Sequence, residues 1–337
     1  MEMTLEPMTP RDAVESYLNS RKGDLTELSL QNHGYRLERF LEWCEAENVH
    51  NMNSVTGRKI QAYANWRAED VNQVTLKTQL DTLRVFFRFC ENIEAIPAGV
   101  SEKVPHPDLE YREDTRDEMV TAGRADAILE YLEKYEYASF QHVLFFLLWH
   151  TGMRTGTALA LDVEDYDSEK GFLKIVHRPK ADTPLKNKLR AERYVSLKDE
   201  LCRVVEDFLN RKHPKVKDEY GRTPLLGTSR GRASATTVRR NIYAITRPCL
   251  LADNCPHDKE IPDCDAANYV GKASQCPSTI SPHSIRRGAI TYHLTQGVPM
   301  KMVSDRMDVS QEVLEKHYDG RSHHERQKQR SEYLTDI

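Results

Sequence analysis

The sequence has no long hydrophobic run. Its longest unbroken apolar stretch is the seven-residue segment Val143–Trp149, in a chain of 337 residues with a mean hydropathy of −0.67. A helix that crosses a bilayer needs about 20 consecutive apolar residues, so we expect no membrane span. The first residues are acidic, with no basic segment leading into an apolar one, which predicts no export signal and a cytoplasmic protein.

Cysteines are few and odd in number, which argues against a framework of disulfides. With no export signal, the seven cysteines should be reduced thiols. Three of them are scattered along the chain, whereas Cys249, Cys255, Cys264 and Cys276 crowd into one stretch.

The net charge is also small, −4 at neutral pH, but the charge is unevenly distributed. Residues 1–170 carry −13, residues 171–250 carry +11 and residues 251–337 carry −2. The whole-chain value alone would argue against a nucleic-acid partner, which needs cations to neutralise phosphates. The basic tract, residues 171–250, instead predicts a surface that binds a polyanion; a solvated polar surface is the alternative.

Apolar periodicity predicts a mainly α fold with a small β-sheet, in two domains. Residues 1–105 read as a helical bundle, with a buried stripe from Tyr35 to Trp43, and residues 106–120 as a polar linker. The second domain would span residues 121–337, with a Cys/His-rich insertion at about 249–278. It opens with helices at 124–136 and 140–150, followed by two strands at 171–177 and 193–197, a helix at 199–209, a helix candidate at 236–250 and a mostly helical tail.

Three short motifs of the second domain point to chemistry on phosphate. They are Thr151-Gly-Met-Arg154, His283-Ser-Ile-Arg286 and Lys316-His-Tyr318, with Tyr318 lying 32 positions after Arg286. In this order they resemble the tyrosine recombinase, or phage integrase, family. The segments 159–166 and 307–310 are similar to those of haloarchaeal (archaeal) site-specific integrases in particular. The resemblance implies an N-terminal helical core-binding (SAM-like) domain followed by an α+β catalytic domain of tyrosine recombinase type.

The chemistry of these residues agrees with that resemblance. Two guanidiniums, Arg154 and Arg286, suit the charge of a phosphorane-like transition state, because each offers a planar fork of donors. The Tyr318 phenol, with an ordinary pKa of about 10, needs positive charge nearby to act as a nucleophile. His283 would orient the phosphate or move a proton. The resemblance implies a 3′-phosphotyrosyl intermediate and no catalytic cofactor. The partners would be double-stranded DNA and further copies of the chain, as a tetramer on paired sites.

The resemblance also implies a catalytic lysine on the hairpin between the two strands. Lys180, Lys186 and Lys188 lie there; we favour Lys188 from its spacing to Arg193, with Lys186 as the alternative. One family position departs, since Val309 stands where a histidine or tryptophan is usual, 23 positions after Arg286. His317, His323 and His324 lie near the tyrosine as candidate replacements.

The cysteine-rich stretch predicts a structural zinc site. Cys255, His257, Cys264 and Cys276 supply four ligands of the kind that zinc prefers, and Cys249 could replace one of them. Reduced thiols on a surface loop are the alternative.

Two other functions stay open at this point. A recombinase-derived DNA-binding protein that no longer cleaves would explain Val309, and a type IB-like topoisomerase would use the same catalytic residues.

Overall fold

A computed structural model describes residues 5–108, 118–252 and 254–315, together with the single residues 324, 327 and 331. The chain divides into two compact units, Met1–Arg116 and Asp117–Ile337. None of the helices in these described parts has the length and apolar character that a bilayer-spanning helix needs. The predicted linker, 106–120, lies mostly outside the described residues.

The first unit is a bundle of four helices, each begun by a side-chain cap. These are α1 (Pro10–Ser20), α2 (Glu27–Ala46), α3 (Gly57–Ala68) and α4 (Gln73–Asn92). Thr9, Thr26, Thr56 and Asn72 each accept a hydrogen bond from a backbone amide of the first turn, which replaces a partner that the helix itself cannot supply.

Aromatic side chains fill the core of this bundle. The rings of Phe40 and Tyr63 meet edge to face at 5.5 Å, and Phe86 contacts Tyr17 in the same way. The predicted buried stripe of α2 is confirmed from Leu37 to Trp43 but is wrong at Tyr35, which is 66% exposed. Tyr35 is two residues before Leu37, about 200° around the helix, so it lies on the face opposite the buried side chains.

The second unit is built around one apolar helix. Its helices are α5 (Ala122–Tyr135), α6 (Phe140–Thr151), α7 (Thr155–Ala160), α8 (Asp199–Arg211), α9 (Ala235–Ile245), α10 (Pro248–Leu251), α11 (Asp265–Asn268), α12 (Pro282–Thr295), α13 (Met300–Met307) and α14 (Gln311–Val313). Helix α6 is buried on nearly every side and packs against α5, α8, α9 and α12. An all-round apolar helix needs such burial.

A small antiparallel sheet lies beside these helices. Strands β1 (Tyr166–Asp167), β2 (Phe172–Ile175) and β3 (Arg193–Ser196) pair in that order, with Leu173 opposite Val195, and β4 (Gly227–Thr228) pairs with β5 (Gly231–Arg232). The predicted fold class, mainly α with a small sheet, is confirmed. The helix expected over 236–250 is interrupted after Ile245, because Pro248 lacks an amide hydrogen and begins a separate turn.

A buried ionic network ties the loops of this unit together. The Asp162 carboxylate is 4% exposed and accepts hydrogen bonds from Arg232 at 2.5 Å and Arg222 at 3.0 Å. Arg178 pairs with Asp165 through both of its terminal nitrogens. These charges are compensated within the fold, so the network accounts for part of the basic tract's arginines without a polyanion.

Candidate active site

Arg154 lies just after the left-handed turn that ends α6. Gly152 has φ 57° and ψ 14°, a conformation that glycine adopts without steric penalty, and its amide caps α6 by donating to the Leu148 carbonyl. Arg154 then begins α7, and its Nη1 donates to Asp308 Oδ2 at 2.5 Å. The Thr-Gly motif therefore sets the position of the arginine through backbone geometry.

Arg286 is almost completely buried, at 2% exposure. It lies on α12, which Ser281 caps and Pro282 begins. Its Nη1 donates to the Gly152 carbonyl at 2.7 Å and to the Met307 carbonyl at 2.9 Å. Arg286 thus joins the turn before Arg154 to the end of α13, and the two predicted arginines share one support.

Asp308 links the same region to the hairpin between β2 and β3. It ends α13 in the left-handed region, at φ 53°, and its Oδ1 accepts a hydrogen bond from Asn187 Nδ2 at 2.8 Å. Asn187 stands between Lys186 and Lys188. Neither Asp308 nor Asn187 was predicted as a site residue, although both lie inside segments that the sequence had marked.

His283 lies one helical turn before Arg286 on α12. Its pKa is lowered, first by partial desolvation and then by the positive charges of Arg286, Arg287, Lys186 and Arg154. The residue is exposed to solvent, and its lowered pKa favours the neutral imidazole at neutral pH. The predicted residues Arg154, His283 and Arg286 are therefore brought together.

The hairpin lysines differ in their relation to this group. Lys186 is exposed, and its charge acts on His283. Lys188 is also exposed and begins a 3₁₀ turn at φ 54°, and Lys180 lies in an earlier 3₁₀ turn, Pro179–Ala181. Lys186 is therefore electrostatically coupled to the histidine.

Two further arginines form a layer beneath the site. Arg193 donates to the carbonyls of Arg306 and Ala191, and Arg306 donates to the Ser196 carbonyl and to His150 Nε2. Burial lowers the pKa of both guanidiniums; for Arg193 the Asp308 charge opposes this effect. In the described part of the chain, Arg193 Nη2 and Arg306 Nε have no hydrogen-bond partner.

Val309 provides no donor to this site. Its side chain is 5% exposed and packs in a small apolar cluster of Ile290, Leu294, Val303, Met307 and Leu314. Tyr318, His317 and His323 lie outside the described residues, and His324 is exposed. The role of Tyr318 therefore stays a prediction.

The cysteine-rich segment forms a separate cavity of about 610 Å³. Cys249, Cys255, Cys264 and Cys276 all line it. Burial raises the pKa of Cys249, with smaller effects from Arg247, Cys276 and Cys255. His257 also lines the cavity, but its Nε2 lies 2.9 Å from Ser278 Oγ.

The predicted zinc ligands are not arranged around an ion. Within residues 5–108, 118–252 and 254–315, no group of three or more His, Cys, Asp or Glu side chains is placed to hold a metal. The four cysteines share a cavity without forming a preassembled site.

The family models match both parts of the chain. The phage integrase family model covers residues 118–319, and the model of the phage integrase N-terminal SAM-like domain covers residues 14–92. The chain belongs to the phage integrase family, and the predicted pairing of a SAM-like domain with a catalytic domain of tyrosine recombinase type is confirmed.

Solved structures share this fold at low sequence identity. The Tn1549 transposon integrase in complex with a circular intermediate DNA is 14% identical, with a TM-score of 0.68 over 97% of this chain and 99% of that one. A lambda integrase dimer bound to a COC′ core site is 14% identical, with a TM-score of 0.64 over 94% and 79%.

A third structure matches a shorter part of the chain. It is the N-terminal domain of a phage integrase/site-specific recombinase from Haloarcula marismortui, 31% identical over 30% of this chain and 99% of that one, with a TM-score of 0.30. No protein with a curated description matches the chain.

Proposed function

We propose that this chain is a site-specific DNA recombinase that cuts and rejoins DNA through a covalent bond to Tyr318. The observation that carries the proposal is the shared support of Arg154 and Arg286 on the Gly152 turn, with His283 and Lys186 within electrostatic reach. Arginines held in fixed orientation stabilise developing charge on a phosphate without reorganising during the reaction.

The proposed step balances without a cofactor. The Tyr318 phenol passes its proton to a base, a role for which His283 is the candidate, as its oxygen attacks the scissile phosphorus. A 3′-phosphotyrosyl bond forms, and the bond to the 5′-oxygen breaks. The leaving 5′-oxygen takes a proton from a hairpin lysine. A 5′-hydroxyl from another strand then reverses the sequence and releases the tyrosine. Phosphodiester energy is conserved, so neither ATP nor a metal enters the reaction.

We infer that the proton donor is Lys186. The hairpin pattern had favoured Lys188, but the charge of Lys186 acts on His283, and Asn187 fixes the neighbouring backbone to Asp308. Lys186→Ala should therefore slow cleavage far more than Lys188→Ala. A substrate with sulfur in place of the bridging 5′-oxygen needs no proton on its leaving group, so it should restore cleavage to the Lys186 variant. Restoration of a Lys188 variant instead would assign the role to that residue.

The test of the nucleophile uses a pool of nicked duplexes with a randomised core, because such a pool can be used without knowing the target sequence of the protein. Protein-linked DNA is recovered under denaturing conditions, digested with nuclease, and the peptide that contains Tyr318 is weighed by mass spectrometry. The wild-type peptide should carry a nucleotide, and Tyr318→Phe should give no adduct while still binding DNA. An adduct in the phenylalanine variant contradicts the assignment.

The alternatives correspond to other outcomes of these assays. DNA binding without any adduct would identify a recombinase-derived DNA-binding protein, for which Val309 is the best argument. Relaxed circles from one plasmid, without recombinants from two marked sites, would identify a type IB-like topoisomerase. We propose a tetramer on paired sites as the active assembly, which sedimentation of the protein with a two-site duplex would measure.

We also propose that the cysteine-rich segment binds a structural zinc ion. Its support is the cavity that four cysteines line, which favours Cys249 over His257 as the fourth ligand. Binding would require the segment to close around the ion. About one equivalent of zinc is expected in protein purified under reducing conditions, and less than about a tenth would contradict the proposal. Cys264→Ser should lose the metal, whereas Cys202→Ser, outside the cavity, and His257→Ala should retain it.

A further inference from the structure

Asp308 makes a contact with Arg154 that resembles the contact expected of a DNA phosphate. Its Oδ2 accepts from Arg154 Nη1 at 2.5 Å, and its Oδ1 accepts from Asn187. A carboxylate and a phosphate present similar oxygens to a guanidinium. The carboxylate therefore occupies a donor of Arg154 that an incoming phosphate could use.

The ion pair of Arg154 and Asp308 is partly exposed to solvent. The Arg154 side chain is 24% exposed and that of Asp308 is 12% exposed. An ion from solvent can reach such a contact, and the charge attraction in it is stronger than at a fully exposed pair. Exchange of one anion for another is therefore feasible at this point of the site.

The carboxylate also offsets repulsion among the arginines. Arg154 and Arg306 both act unfavourably on the charge of Arg193, whereas Asp308 acts favourably on it. Like charges held this close destabilise the folded state unless an anion accompanies them. Asp308 supplies that anion within the chain itself.

The backbone at position 308 is in the left-handed region. Asp308 ends α13 at φ 53° and ψ 62°, where glycine is the commonest residue and aspartate carries a small conformational cost. The ion pair with Arg154 and the hydrogen bond from Asn187 offset that cost.

We propose that Asp308 is the resident counter-ion of the arginine site, which holds Arg154 and the lysine hairpin in place until the scissile phosphate displaces its carboxylate. This inference rests on the proposed function, since it takes a phosphate as the group that Arg154 receives. It predicts that the wild-type site binds free phosphate weakly, because the anion must first break the Asp308 contact.

The test measures binding of inorganic phosphate to the full chain by thermal shift, at constant ionic strength maintained with chloride. Asp308→Asn removes the charge with little change of shape, and Asp308→Gly removes it with a residue suited to the backbone. Both variants should bind phosphate about tenfold more tightly than the wild type, as expected when one like charge is removed a few ångströms from the anion. Adding Arg154→Ala to either variant should abolish the gain.

Asp305→Asn is the matched control, because Asp305 is exposed on the same helix and lies three residues away. It should change phosphate affinity by less than about twofold, since solvent and salt screen its charge. Equal or weaker phosphate binding by both Asp308 variants would overturn the counter-ion role. This readout does not involve Tyr318, so absence of a tyrosyl adduct would refute the proposed function and leave the phosphate result to stand separately.

Discussion

Substituting alanine for Gly152 should damage both the stability of the second unit and its arginine site. Gly152 has φ 57°, and a Cβ placed there would lie 2.5 Å from Met307 Sδ and 2.8 Å from Met307 Cε. Met307 has no exposed surface and packs in the apolar cluster of α12, α13 and α14. The methionine therefore has little room to move away.

The two effects have known magnitudes. A left-handed conformation costs an alanine about 1–2 kcal/mol relative to glycine, and overpacking of a filled core costs about 1–3 kcal/mol. Together they predict a loss of about 2–5 kcal/mol in the free energy of unfolding, which corresponds to roughly 5–15 °C in the melting temperature of a unit of this size. Circular dichroism on heating and urea titration would measure it.

Two other glycines separate the contributions. Gly156 lies in α7 without a left-handed φ and with open space around its Cβ position, so Gly156→Ala should be neutral or slightly stabilising. Gly297 has φ 82° and open space, so Gly297→Ala should show the backbone cost alone. If Gly152→Ala is no more destabilising than Gly297→Ala, the close packing of Met307 against the turn is refuted.

Three further predictions concern charge. Burial and neighbouring cations lower the pKa of His150 to about 3 in the folded state. As the pH falls below the unfolded pKa of about 6.5, the unfolded state binds a proton that the folded state does not. The free energy of unfolding should therefore fall by about 1.4 kcal/mol for each pH unit. Urea titrations from pH 6 to pH 4 should show a shallower fall for His150→Gln, and equal slopes would contradict the burial of this imidazole. Asp162→Asn should cost about 1–3 kcal/mol in urea unfolding, because Arg222 and Arg232 each lose one of two carboxylate partners and keep Asp218; a loss under about 0.5 kcal/mol would refute that network. If the basic tract, residues 171–250, contacts phosphates, the DNA affinity measured by fluorescence anisotropy should fall about a thousandfold between 50 and 200 mM salt. An affinity that does not depend on salt would mean that the tract is a solvated polar surface instead.

The helices were predictable from the sequence because their apolar periodicity is strong. Helix α6 and the aromatic core of the first unit follow directly from the apolar residues of 37–43 and 140–150. Tyr35 was misassigned because it is apolar in type but lies about 200° around the helix from Leu37, on the solvent-facing side. The break before Pro248 was missed for a related reason, since the apolar pattern continues across it.

The sequence motifs predicted the two arginines and His283 of the site, but they did not predict the groups that hold these side chains in place. The anchors of Arg286 are two main-chain carbonyls, which no side-chain pattern encodes. Asp308 was present in a noted motif, but its pairing with Arg154 joins residues 154 positions apart. His257 satisfied a ligand pattern, yet the fold directs it to Ser278.

The anchoring of Arg286 on the carbonyls of Gly152 and Met307 affects how this protein can change over evolution. Every residue type supplies a main-chain carbonyl, so substitution at position 307 preserves the acceptor as long as the backbone path is kept. Insertions or deletions between α6 and α7, or at the end of α13, would move that path and leave the arginine without its support. Changes of loop length on either side of the site should therefore disturb Arg286 directly, whereas a change of side chain at position 307 should act on it only through the packing of the apolar cluster.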